Sequence, residues 1–168
     1  MGSMLYAREL PPFGGDTLFA NQYLAFEALS SGMRRMLEGL RAISSSAKAD
    51  ATKTREDRMR TQAREEAKME YRFEHPVVRI HPETGRKALY VNVAHTVCFQ
   101  HMTEEESEAL LTFLFQHQVR PEFTCRLRWQ VGSLAFWDNR CTQHNPINDY
   151  HGYRRLMHRI TLAGDVPR

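Results

Sequence analysis

The chain has little cysteine, no long apolar run and almost no excess of one charge, and each shortage removes a class of protein. Three cysteines in 168 residues, Cys98, Cys125 and Cys141, are an odd number without close pairing. They read as free thiols of a reducing, cytoplasmic chain and argue against a disulfide framework. The apolar stretches are far too short to cross a bilayer, so no membrane partner is expected. The opening MGSMLYAREL carries Arg8 and Glu9 where a signal peptide has its apolar stretch. Net charge is +3, from 23 Lys and Arg against 20 Asp and Glu. The most charged stretch, Lys48 to Glu70, holds seven basic and six acidic residues, so it is a solvated surface and no nucleic-acid partner is expected. Arg154, Arg155, His158 and Arg159 gather positive charge without compensating acids, enough for a local anion site.

What remains is an ordinary globular composition, 42% hydrophobic and 26% charged, in a length that suits one domain. YARELPPFGGDTLFANQ reads as strand, turn, then a second strand or a helix entrance. A helical region is predicted over about residues 21–43: Leu29, Met33, Met36, Leu37 and Leu40 share one face, and Arg34, Arg35, Glu38 and Arg41 the other. Ser44, Ser45 and Ser46 end it, and a charged insert over about 44–70 follows as linker or surface helix. HPVVRIHPETGRKALYVNVAHTV predicts a hairpin about the turn Pro82–Gly85. Thr103 and Glu106 form a capping box for a helix running to about His117. CRLRWQV, LAFW and YRRLMHRITLAG read as further strands. The fold class expected is α+β, mainly β.

Strand alternation places Arg155, Met157, Arg159 and Thr161 on one face, and Leu156, His158, Ile160 and Leu162 on the other. The pattern by itself favours burial of the aliphatic face with the arginines in water. The other reading turns the arginines into a barrel, where guanidinium forks bind carboxylate or sulfonate oxygens. His144 lies in the turn-rich segment FWDNRCTQHNPINDY. Cys141 with His144 is a poor zinc pattern, Cys98 with His101 is equally isolated, and no Gly-X-Ser-X-Gly elbow supports a hydrolase.

Four stretches, GGDTLFAN, HPVVRIHPETGRKALYVN, RPEFTCRLRWQVGSLAFWDNRCTQH and NDYHGYRRLMHRITLAGD, together resemble the taurine dioxygenase family, almost without gaps over most of the chain. The resemblance implies an iron(II)- and 2-oxoglutarate-dependent dioxygenase on a double-stranded β-helix (jelly-roll) with outer helices. It would hydroxylate a small anionic substrate, such as a sulfonate, with molecular oxygen. It further implies that His144 is the distal iron-binding histidine, that Arg155 pairs with a carboxylate of 2-oxoglutarate, and that Thr17 donates a hydroxyl to the same cosubstrate. Arg159 corresponds to the arginine at the substrate's sulfonate. His95 stands where taurine enzymes generally have an aromatic beside the substrate, which leaves other sulfonates, sulfate esters or carboxylates open.

The family's His-X-Asp iron pair has no counterpart here. His81-Pro82-Glu83 falls in a hairpin turn that family members have without using it as a ligand. The resemblance therefore leads us to expect a partial, N-terminally incomplete jelly-roll over residues 1–168, impaired in turnover and either marginally stable or paired with another copy through its uncovered strands. The alternative is a non-catalytic jelly-roll remnant with a binding, assembly or complementation role.

Overall fold

The structure, a computed structural model, describes residues 1–51 and 70–167. Three small antiparallel sheets and a hairpin organise them. Strand β1 (Gly2–Glu9) is the centre of the first sheet, between β11 (Leu156–Leu162) and β9 (Leu134–Asp138). Strand β2 (Thr17–Asn21) is the centre of the second, between β10 (Thr142–Pro146) and β8 (Thr124–Leu127). The third has β3 (Arg41–Ser45) between β4 (Arg72–Pro76) and β7 (Thr96–Phe99), and β5 (Val78–Ile80) pairs with β6 (Lys87–Leu89).

The hairpin forms where its turn chemistry places it. Gly85 adopts φ 68°, a left-handed conformation that glycine accepts without a Cβ penalty, and its N–H donates to the His81 carbonyl at 2.8 Å.

The helical region comes out differently from the periodicity. It is two short helices, α1 (Gln22–Glu27) and α2 (Ser31–Glu38), followed by strand β3. Asn21 caps α1 by accepting from the N–H groups of Tyr23 and Leu24. Ser30 starts α2 afresh by accepting from the Met33 N–H, so the apolar stripe is broken by a second cap. Leu29 and Leu37 are buried while Met36 is exposed. Arg41–Ser45 is a strand because two partners pair with it, Ala42 opposite both His75 and Phe99; tertiary pairing overrides local propensity. The serines thus belong partly to β3, and α3 (Ser46–Ala51) follows. The remainder of the expected insert, 52–69, lies outside the described residues.

Helix α4 (Glu104–His117) begins at the expected capping box. Thr103 Oγ1 accepts from the Glu106 N–H at 3.2 Å, and the Glu106 carboxylate accepts from the Thr103 N–H at 2.7 Å. Its Leu111 and Leu114 join Phe26, Leu37, Val77 and Phe99 in one apolar core beneath the third sheet. His117 Nε2–H donates to the Ala25 carbonyl at 2.7 Å and ties α4 to α1. Thr103→Ala removes a helix N-cap worth about 1 kcal/mol; a drop of about 2–4 °C in Tm is expected at this chain length, read by circular dichroism.

The first sheet settles the direction of Arg159. Ser3 and Ala7 of β1 are fully buried and Trp137 nearly so, and register places Arg159 opposite Leu5, on that same side. The opposite face carries Phe136, 63% exposed, and Ile160, 58% exposed, together with exposed Tyr6, Leu134 and Leu162. The aliphatic face of β11 is therefore the outer one, against the expectation from alternation taken by itself, and Arg159 lies on the side of Ser3 and Ala7 while remaining exposed itself.

Candidate functional site

The loop Gly14-Gly15-Asp16 leads into β2 and sets the first part of the site. Both glycines are left-handed, φ 72° and 73°, and Asp149 Oδ1 accepts from the Gly15 N–H at 2.7 Å. A Cβ on Gly15 would lie 3.0 Å from Arg155 Nε, so glycine is needed here for the guanidinium to pack against the backbone. Thr17, the next-but-one residue, is buried, and its Oγ1 accepts from Trp129 Nε1–H at 3.0 Å. That bond orients the hydroxyl and leaves its own hydrogen to be given elsewhere.

Arg155 stacks beside the Tyr150 ring, its guanidinium carbon 5.7 Å from the ring centre. Its Nε and Nη2 are shut off from solvent and have no hydrogen-bond partner. A guanidinium with unpartnered donors is costly to bury, because desolvation is not repaid by any anion among the described residues. Its fork fits a carboxylate in two parallel bonds.

His144 is on strand β10, opposite Phe19 of β2; it is not in a loop, because β2 supplies a pairing partner that the turn-rich local sequence hides. Its ring packs 4.9 Å from Trp137 and 6.4 Å from Phe19, while more than a third of the residue stays open to solvent. The protein packed round the ring, and then the charge of Arg159, hold its pKa below the ordinary histidine value. The imidazole is thus neutral at neutral pH, the form that ligates metals. Arg159 Nη2 reaches Ser3 Oγ at 3.4 Å, and Asn139 Nδ2 donates to the same oxygen at 2.9 Å.

A cavity of about 570 Å³ opens beside these groups, with His144, His95, Asn139 and Gln143 on its wall. His95 precedes β7 and is exposed. The structure therefore brings His95 and His144 to one cavity and couples Arg159 to it through His144 and the Ser3–Asn139 link. Thr17 and Arg155 are not on its wall.

One feature near this cavity gave no sequence signal. His81, Asp138 and Cys141 offer ligand atoms within 4.8 Å of one another. His81 Nδ1 accepts from the N–H groups of Glu83 and Thr84, both at 3.3 Å, which puts the ring proton on Nε2, 3.0 Å from Asp138 Oδ2. Arg140 Nε lies 2.9 and 3.0 Å from the two Asp138 oxygens, and its Nη2 2.6 Å from Oδ2. These hydrogen bonds join His81, Asp138 and Arg140 into a clamp between two turns. Among the described residues, His144 belongs to no group of three potential ligands.

Residues 1–161 match the family described as taurine catabolism dioxygenase TauD, TfdA family. The chain belongs to this family. It is 41% identical over 162 residues to the alpha-ketoglutarate-dependent dioxygenase cnsM of Penicillium expansum, covering 95% of this chain and 44% of that protein. It is 36% identical over 172 residues to an alkylsulfatase of Acinetobacter baylyi, covering 98% and 52%. Among solved structures, a taurine dioxygenase from Burkholderia xenovorans matches with a TM-score of 0.82 at 39% identity, over 99% of this chain and 53% of that one. The chain thus spans about half the length of the curated relatives it matches. The small sheets and outer helices are those of a TauD-family jelly-roll. Members of the TauD family depend in general on iron(II) and 2-oxoglutarate.

Proposed function

We propose that this chain carries the cosubstrate- and substrate-binding half of a TauD-family dioxygenase that hydroxylates a small anionic molecule, a sulfonate or sulfate ester. The observation that carries the reading is Arg155, whose buried Nε and Nη2 lack any partner. The distal carboxylate of 2-oxoglutarate supplies two acceptors to that fork, and Thr17, oriented by Trp129, donates its hydroxyl to the same carboxylate. Arg159 holds the anionic head of the substrate on the inner face of the first sheet, and His95 borders the cavity that receives it. Neutral His144 supplies one iron ligand.

Iron(II), when bound, supplies the redox chemistry: 2-oxoglutarate and oxygen give succinate and carbon dioxide, and the second oxygen atom becomes the hydroxyl of the product. With one nitrogen and no chelate among the described residues, this chain by itself holds iron weakly. It binds the organic acid without turning it over.

2-Oxoglutarate at ten times its Kd is expected to stabilise the protein by about 1.4 kcal/mol, a rise of about 3–6 °C in Tm. Glutarate, with the same distal carboxylate, gives a similar rise. Succinate release with iron(II), ascorbate and an alkyl sulfate stays at background. The absence of a shift with either acid would overturn the cosubstrate assignment, and brisk succinate release the claim that the chain does not turn over.

A further inference from the structure

The cavity extends past His144 and His95 to a wall of a different character. Strand alternation along β4 and the residue before it puts Tyr71, Phe73 and His75 on one side. Their rings form a row: Tyr71 and Phe73 stack 6.5 Å apart at 9°, Phe73 and His75 6.5 Å apart at 25°, and Tyr90 meets His75 edge-on at 5.8 Å. All four line the cavity. Phe73 is 60% exposed although it sits in the middle of a paired strand. A bare aromatic row that opens into a cavity is a surface awaiting an apolar partner.

The guanidinium of Arg79 stands 5.0 Å from the Tyr90 ring centre, and it is paired with Asp165 at 2.9 Å. Burial, and then the charges of Arg41 and Arg79, lower the pKa of His75 and keep its ring neutral. Among the described residues the one guanidinium on the cavity, that of Arg140, is engaged by Asp138 and Glu83. The cavity is thus close to Arg159 at the His144 end, and at the β4 end the four uncharged rings stand beside the small side chains of Ser44, Ser45 and Ser46. Its volume falls in the range of about 300–1,000 Å³ that takes drug-sized ligands, more than a head group with two carbons needs.

We infer that the row Tyr71, Phe73, His75 and Tyr90 is a subsite for the apolar body of the substrate, an alkyl or aryl chain whose anionic head lies at the Arg159 end. This rests on the function proposed above and narrows its substrate class to elongated amphipathic anions.

Binding of ethyl, butyl, hexyl and octyl sulfate to the full chain, each below its micelle concentration, tests it by calorimetry. Affinity is expected to climb about two- to fourfold per methylene. Phe73→Ala and Tyr71→Ala, both at exposed side chains that the fold does not need, flatten that slope; Phe136→Lys, on the outer face of the first sheet, leaves it intact. Arg159→Gln weakens all four ligands by a similar factor. An affinity independent of chain length, a slope unchanged in Phe73→Ala, or one that vanishes in Phe136→Lys overturns the inference. Stabilisation of the same samples by 2-oxoglutarate reports on the cosubstrate reading separately, so either can fail without the other.

Discussion

Arg155→Met is expected to make the ligand-free protein more stable and at the same time unresponsive to 2-oxoglutarate. Nε and Nη2 of Arg155 are out of reach of water and have nothing to donate to among the described residues. Each unsatisfied buried donor costs about 1–3 kcal/mol, and replacing buried charged groups by apolar ones of similar volume is often stabilising by about 1–4 kcal/mol. Methionine keeps the stem and its packing beside Gly15 and Tyr150. A gain of about 1–2 kcal/mol is therefore expected, seen as a higher urea midpoint and a rise of about 2–8 °C in Tm. Binding moves the other way: a charge-assisted hydrogen bond contributes about 1.5–3 kcal/mol, so losing the fork weakens 2-oxoglutarate about 10- to 100-fold. Arg155→Lys keeps the charge but not the planar fork and falls between the two. If Arg155→Met lowers stability and leaves the 2-oxoglutarate shift intact, the guanidinium is structural and the cosubstrate reading loses its main support.

The features legible in the sequence were those decided within a few residues. The turn Pro82–Gly85 needs only its own glycine, and the box at Thr103 needs only Glu106, so both stand as expected. What failed was decided at long range. Arg41–Ser45 continues a helical period, yet it is a strand because residues 72–76 and 96–99 pair with it. His144 sits among turn formers, yet pairing with Phe19, far back in the chain, draws it into a sheet. Alternation along β11 correctly separates Arg159 from Ile160 and Leu162, but which face is inside depends on β1, whose Ser3 and Ala7 line the inner side. There the pattern by itself put the aliphatic face inside, whereas Ile160 and Leu162 are exposed on the outer side. The aromatic row was present as the alternation Tyr71, Phe73, His75, but its start adjoined a segment read as charged insert.

Asp138→Asn is expected to produce the largest loss of stability of any substitution near the site. Asp138 receives Arg140 on both oxygens and His81 on one, and the side chains of Arg140 and His81 are only 11% and 5% exposed. Burial pushes the Asp138 carboxyl up, but the hydrogen bonds from Arg140 and His81 and the charge of Arg140 outweigh it and hold the group well below the usual carboxylate range. Asparagine leaves Arg140 short of its counter-charge in the turn that feeds β10, and so the strand bearing His144. Breaking a fully buried pair costs about 3–5 kcal/mol; with Asp138 still 29% exposed, about 2–3 kcal/mol is the expected loss at pH 7. Because the folded carboxyl titrates below its unfolded value near 3.9, this contribution is complete above about pH 5 and fades as the pH falls through the folded pKa. The gap between wild type and Asp138→Asn in urea midpoint should therefore stay constant from pH 8 to 5 and narrow in stronger acid. A gap that widens in acid contradicts the clamp. The same cluster makes a second, independent demand: with the proton of His81 fixed on Nε2 and the carboxylate held by Arg140, zinc(II) should not raise the Tm, and Cys141→Ser should leave the clamp's pH profile unchanged. Stabilisation by zinc that Cys141→Ser abolishes would show that these three side chains rearrange to hold a metal instead of holding two turns together.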